Sequence, residues 1–159
     1  MMVFMGFGWA KPVMVDMRRF RNPKIGMAIT AFAGPMSNFL LAILLMPLYG
    51  MLVAFGYRGG SYMYYAAQLV ASTVYMSISL GLFNLIPIPP LDGSKVVEAV
   101  LPQHIYFRIM RYERYGMILL FILVWSDIFN APLTAAVDFV FEKMLYIAQW
   151  AFELAVKFI

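Results

Sequence analysis

Residues 26–55 contain no Asp, Glu, Lys or Arg. A membrane-crossing helix needs about 20 consecutive apolar residues, and this run exceeds that. Pro35 and Pro47 interrupt it, so it reads as one long crossing, tilted or kinked. Residues 66–86 form a second uncharged run. Residues 116–137 form a third, with Asp127 and Pro132 as its weak points. The tail, 138–159, is apolar but carries Glu142, Lys143, Glu153 and Lys157. It reads either as a fourth crossing or as a helix lying in the interface. Residues 6–13, rich in glycine and ending in Lys-Pro-Val, read as turn and short strand. The fold expected is therefore an all-α polytopic membrane protein, a single membrane domain over 1–159, with short strand-like segments before the first crossing.

Composition agrees with the patterning. Hydrophobic residues make up 64% of the chain, charged residues 13%, and the mean hydropathy is +0.80. Soluble domains carry about 25% charged residues, and small ones bury only about two thirds of their surface. An ordinary cytosolic domain, a disordered chain and a nucleic-acid binder are excluded on these grounds. The absence of cysteine excludes disulfide frameworks and thiolate metal sites. The net charge of +4 reflects basic residues placed beside the apolar runs.

Those basic residues set an expected topology. Residues 11–24 carry Lys11, Arg18, Arg19, Arg21 and Lys24 against one acid, Asp16, while 95–114 carry Lys95, Arg108, Arg111 and Arg114. Between the first two crossings, the glycine- and tyrosine-rich connection 57–65 holds only Arg58. The positive-inside rule then places 11–24 and 95–114 in the cytoplasm. The three arginines recur every third residue, which suits one helix face near anionic headgroups. The first nine residues lack the basic start of a signal peptide.

Two polar residues stand out. Asp92 is attached directly to the end of the second uncharged run, in a segment broken by Pro87, Pro89 and Pro90. Non-helical backbone at membrane depth is tolerated only where protein or a watery cavity satisfies it. An ionisable side chain there marks a functional site, or else caps the next helix at an interfacial turn. Asn38 lies inside the first run, close to Gly34 and Pro35. Its amide brings donor and acceptor to a dry place, serving either chemistry or helix–helix contact.

Four blocks occur in order: Gly8-Trp-Ala-Lys-Pro-Val13, Arg21-Asn-Pro-Lys24, Gly34-Pro-Met-Ser-Asn38 and Phe83-Asn-Leu-Ile-Pro-Ile-Pro-Pro-Leu-Asp-Gly93. Together they resemble the site-2 protease family of intramembrane zinc metallopeptidases, in its short form without a PDZ domain. The resemblance implies that Asp92 is a zinc ligand and that Asn38 orients substrate or stabilises the transition state. Gly34, Pro35, Pro87, Pro89 and Gly93 would shape the site. In that family an HExxH motif on an earlier helix adds two His ligands and a Glu, which activates a zinc-bound water against the peptide carbonyl. The resemblance further suggests that an unwound substrate strand pairs with exposed backbone beside the site.

No HExxH occurs here, and the single histidine, His104, stands in the second basic stretch. By resemblance the chain is the C-terminal portion of such a protease, truncated ahead of Gly6 and inactive as given. The implied partners are membrane lipid and transmembrane protein substrates, without nucleic acid. The implied location is a bacterial or archaeal cell membrane. Two alternatives stay open: a non-catalytic pseudoprotease that binds transmembrane clients, and, more weakly, a transporter or channel subunit in which Asp92 lines an ion path.

Overall fold

The computed structural model describes residue 16 and residues 20–59 and 61–158, except for the side chains of 57–59, 103, 104 and 106–114. Five helices follow one another within them: α1 (Pro23–Gly59), α2 (Ser61–Asn84), α3 (Asp92–Val100), α4 (Gln103–Trp125) and α5 (Asn130–Val156). No strand occurs among the described residues, and the all-α expectation holds. The strand-like segment expected at 6–13 lies outside them.

Helices α1, α2 and α5 pack against one another, and α3 packs on α1. Their shared core is made by Ala42 and Met46 of α1, Val74 and Ile78 of α2, and Val137 and Ala148 of α5. Small residues set the spacing, because close backbone approach is what drives helix association where lipid removes the hydrophobic incentive. A methyl group on Gly50 would collide with the Ala148 carbonyl, so α1 and α5 nearly touch there. Large apolar side chains such as Leu44, Leu69, Met76 and Phe121 point outward and stay exposed, as suits a lipid surround.

Both early crossings are present as continuous helices. Pro23–Gly56 and Ser61–Asn84 are long and apolar enough to span a membrane, with mean hydropathies of 2.3 and 1.4. Helix α1 passes through Pro35 and Pro47 without a break. The connection expected at 57–65 is far shorter, since α1 runs to Gly59 and α2 starts at Ser61. Continuing the helix satisfies backbone groups internally, which an apolar medium favours.

The later half departs from the expectation. The run 116–137 is not one helix: α4 ends at Trp125, α5 begins at Asn130, and the two are bent by 81°. Asp127 adopts φ 56°, a left-handed conformation that stops a helix. Its carboxylate accepts a hydrogen bond from the Asn130 side chain, and its carbonyl accepts from the Asn130 N–H at 3.0 Å. Pro132 falls in the first turn of α5, where its missing N–H would have no partner anyway. Counted as one broken span, the α4–α5 pair gives a third candidate crossing by length and composition. Most of the tail then belongs to α5 rather than to a separate fourth segment.

Candidate functional site

The site is built around the segment between α2 and α3. Three prolines in residues 87–90 end α2 at Asn84, since each lacks a donor and restricts its predecessor. The four remaining N–H groups of residues 85–91 are all engaged locally. Leu85 donates to Gly81 and Leu82, Ile86 to Phe83, Ile88 to Ile86 and Leu91 to Ile88, over 2.8–3.2 Å. Strand pairing of a substrate with this segment, suggested by the family resemblance, therefore finds no free N–H in residues 85–91.

Two glycines clamp the segment from either side. A methyl group on Gly93 would strike the Leu85 carbonyl, and one on Gly116 would strike the Pro89 carbonyl. Gly93 is thus required for a close backbone approach of α3, as the proline-rich string implies. Gly116 does the same from α4, and sequence reasoning missed it; its only signal is its place where the basic stretch turns apolar. Leu91 and Ser94 are buried, and the Ser94 hydroxyl donates to the Leu91 carbonyl at 2.8 Å. Pro89 is half-buried and Pro87 exposed.

Asp92 is the first residue of α3 and half-buried. Its carboxylate is directed at Gly34: a Cβ on that glycine would stand 3.2 Å from Asp92 Oδ2. Among the described residues no hydrogen-bond donor or cation engages this carboxylate. Gly34 lies eleven residues into α1, or about 16 Å from its start. The carboxylate is therefore held well along the helix rather than at its mouth. Pro35 is fully buried, and the Ser37 hydroxyl donates to the Gly34 carbonyl at 2.6 Å. Asn38, one turn beyond Gly34 on the same face, is half-buried, and no bond to its amide occurs among the described residues. The Lys24 ammonium donates to the Leu101 carbonyl at 3.4 Å, joining the start of α1 to the end of α3. Lys24, the last cation of the first basic stretch, thereby meets Leu101 of the second.

A carboxylate with free oxygens, an open glycine face and a nearby amide can take a cation or a donor. A catalytic zinc takes three protein ligands and keeps one position open. Among the described residues, no three His, Asp or Glu side chains form a group able to hold a metal ion. His104 is the second residue of α4, and its side chain lies outside the described residues. The described residues fit one ligand of a zinc site, not a whole one.

Comparison with known proteins adds to this geometry. Residues 12–125 match Peptidase family M50. Over 124 residues the chain is 34% identical to a Bacillus subtilis (strain 168) protein named "Putative zinc metalloprotease YwhC", covering 74% of this chain and 54% of that protein. The chain thus spans about half the length of the curated relative it matches. No solved structure matches it.

Proposed function

The chain belongs to peptidase family M50, and from that membership we propose that it forms part of a zinc-dependent protease core that cleaves transmembrane substrates inside the bilayer. The observation that carries this reading is the approach of Asp92 to Gly34, two motif residues far apart in sequence. Asp92 supplies one oxygen ligand to zinc. Asn38, one turn along α1, holds the substrate carbonyl or the charge that develops on it. Pro35 fixes α1 beneath them, while Pro87, Pro89 and Gly93 hold the preceding segment in place. The protein sits in a bacterial or archaeal cell membrane, with residues 11–24 and 95–114 on the cytoplasmic side. The Lys24–Leu101 bond supports a common side for both.

With one histidine and no HExxH, these residues do not hold the ion alone. The two nitrogen ligands and the general base come from outside them, and the 159-residue chain by itself cleaves nothing. The test is reconstitution in liposomes with a fluorogenic transmembrane peptide, with and without a co-expressed segment bearing HExxH. The chain alone is expected to bind no stoichiometric zinc. The combination is expected to bind one ion and cleave, and Asp92→Ala to abolish both. Zinc-dependent cleavage by the chain alone, or zinc binding by the combination that survives Asp92→Ala, overturns the reading.

A second reading, a non-catalytic protein that retains transmembrane clients, is favoured by the lack of a three-ligand group among the described residues. It predicts client binding without zinc in both preparations.

A further inference from the structure

Away from Asp92, α2 presents a polar face that is bonded in part within the helix: the Gln68 amide donates to the Tyr64 hydroxyl at 2.8 Å, and the Ser79 hydroxyl to the Tyr75 carbonyl at 2.8 Å. Tyr64, Gln68, Ser72, Tyr75 and Ser79 recur at three- and four-residue spacing along one side of an otherwise apolar helix. Two grooves follow that side. One, about 540 Å³, lies between α1 and α2, with Tyr49, Gly56, Gln68 and Ser72 among its lining. The other, about 480 Å³, is bordered by Ser72, Tyr75, Ser79 and Phe141. Ala71 and Ser72 line both, so the two adjoin as one cleft with small side chains where they meet.

A carboxylate stands beside this cleft. The Tyr75 hydroxyl donates to Asp138 Oδ1 at 3.0 Å, and the Tyr75 ring meets Phe141 edge-on at 5.8 Å. Tyr75 lies fourteen residues after Ser61 and nine before Asn84, about 21 Å and 13 Å from the two ends of α2. Both distances put the pair within a hydrocarbon layer about 30 Å thick. A carboxylate at that depth requires a counter-charge or further donors, and one phenol leaves most of its acceptor capacity unused.

The geometry points to a docking surface for a transmembrane helix that carries one basic side chain at the depth of Asp138. Charge complementarity selects this occupant. The small side chains of Ala71 and Ser72 let a second backbone come close, and the Gln68 amide oxygen and the Ser72 hydroxyl offer hydrogen bonds along it. A second copy of this chain is a poorer fit. Residues 26–55 and α2 contain no cation, the arginines of α4 (Arg108, Arg111 and Arg114) all precede its apolar run, and the single lysine of α5, Lys143, lies 5.5 Å over the Phe139 ring. The docked helix is a standing neighbour, and its binding stands whether or not the complete protein cleaves anything.

The experiment uses the 159-residue chain in phosphatidylcholine liposomes with labelled Leu-Ala transmembrane peptides, one bearing a central Arg and one without it. Energy transfer reads association, with no zinc present. The Arg peptide is expected to associate about tenfold more tightly than its plain counterpart. Asp138→Asn is expected to remove that preference, and Ser72→Leu, which puts a bulky side chain where the grooves meet, to weaken both peptides. Circular dichroism verifies that both variants remain helical. Equal binding of the two peptides, a preference that survives Asp138→Asn, or self-association of the chain that excludes the peptide each overturns the proposal. Failure here leaves the Asp92 reading untouched, since that reading is scored on zinc and cleavage.

Discussion

Gly34 and Asp92 are 58 positions apart in sequence, yet a side chain begun on the first would meet the carboxylate of the second at 3.2 Å. This contact joins α1 to the segment after α2. It also explains why the Gly-Pro-Met-Ser-Asn block opens with a residue that has no side chain.

Gly34→Ala separates helix stability from function. Alanine in a helix is favoured over glycine by about 1 kcal/mol, so the thermal midpoint in detergent is expected to hold or rise. The added methyl crowds Asp92 Oδ2, and zinc affinity of the HExxH-complemented protein is expected to fall about tenfold or more. Gly34→Leu should remove zinc altogether. Metal titration beside a melting curve checks both.

Asp92→Asn is expected to leave the fold nearly unchanged, within about 0.5 kcal/mol, because no donor or cation among the described residues engages the carboxylate. Zinc binding by the complemented protein should be lost. Denaturant unfolding and metal content together distinguish this from a structural role, which would lower stability as well.

The clamp on the proline segment gives a graded prediction. Gly93→Ala drives a methyl into the Leu85 carbonyl, with the Ile86 carbonyl also close at 2.7 Å. Backbone has to move, and overpacking of this kind costs about 1–3 kcal/mol. Gly116→Ala meets the Pro89 carbonyl and should cost a similar amount. Both are expected to lower the thermal midpoint and to perturb zinc binding indirectly.

At the α4–α5 bend, Asp127→Val places a β-branched side chain at φ 56° and removes the acceptor of the Asn130 side chain. A loss of about 1–3 kcal/mol is expected. Asp127→Gly relieves the backbone while losing the same bond, and should fall between wild type and the valine variant. Thermal unfolding of the three proteins ranks them.

The first two helices were legible in the sequence because an uncharged run of sufficient length has few other fates. The bend at 126–129 was not, because hydropathy registers how apolar a stretch is and carries no direction. Asp127 and Pro132 marked the weak point without showing that the chain turns 81° there. Asp92 and Gly34 were each legible through their motifs. Their contact was not, since it depends on how α3 seats against α1. The Tyr75–Asp138 pair went unread for the same reason, one partner lying within an uncharged run and the other at the start of a charged tail.

The engaged N–H groups of residues 85–91 give the approach to Asp92 a one-sided polarity. Proline removes three donors and local bonds occupy the other four, so this stretch offers no backbone N–H to its surroundings. Beside a carboxylate, such a rim attracts cations and N–H groups and repels anions. A cation held at Asp92 would therefore find the neighbouring backbone adding to the negative character of the carboxylate rather than offsetting it.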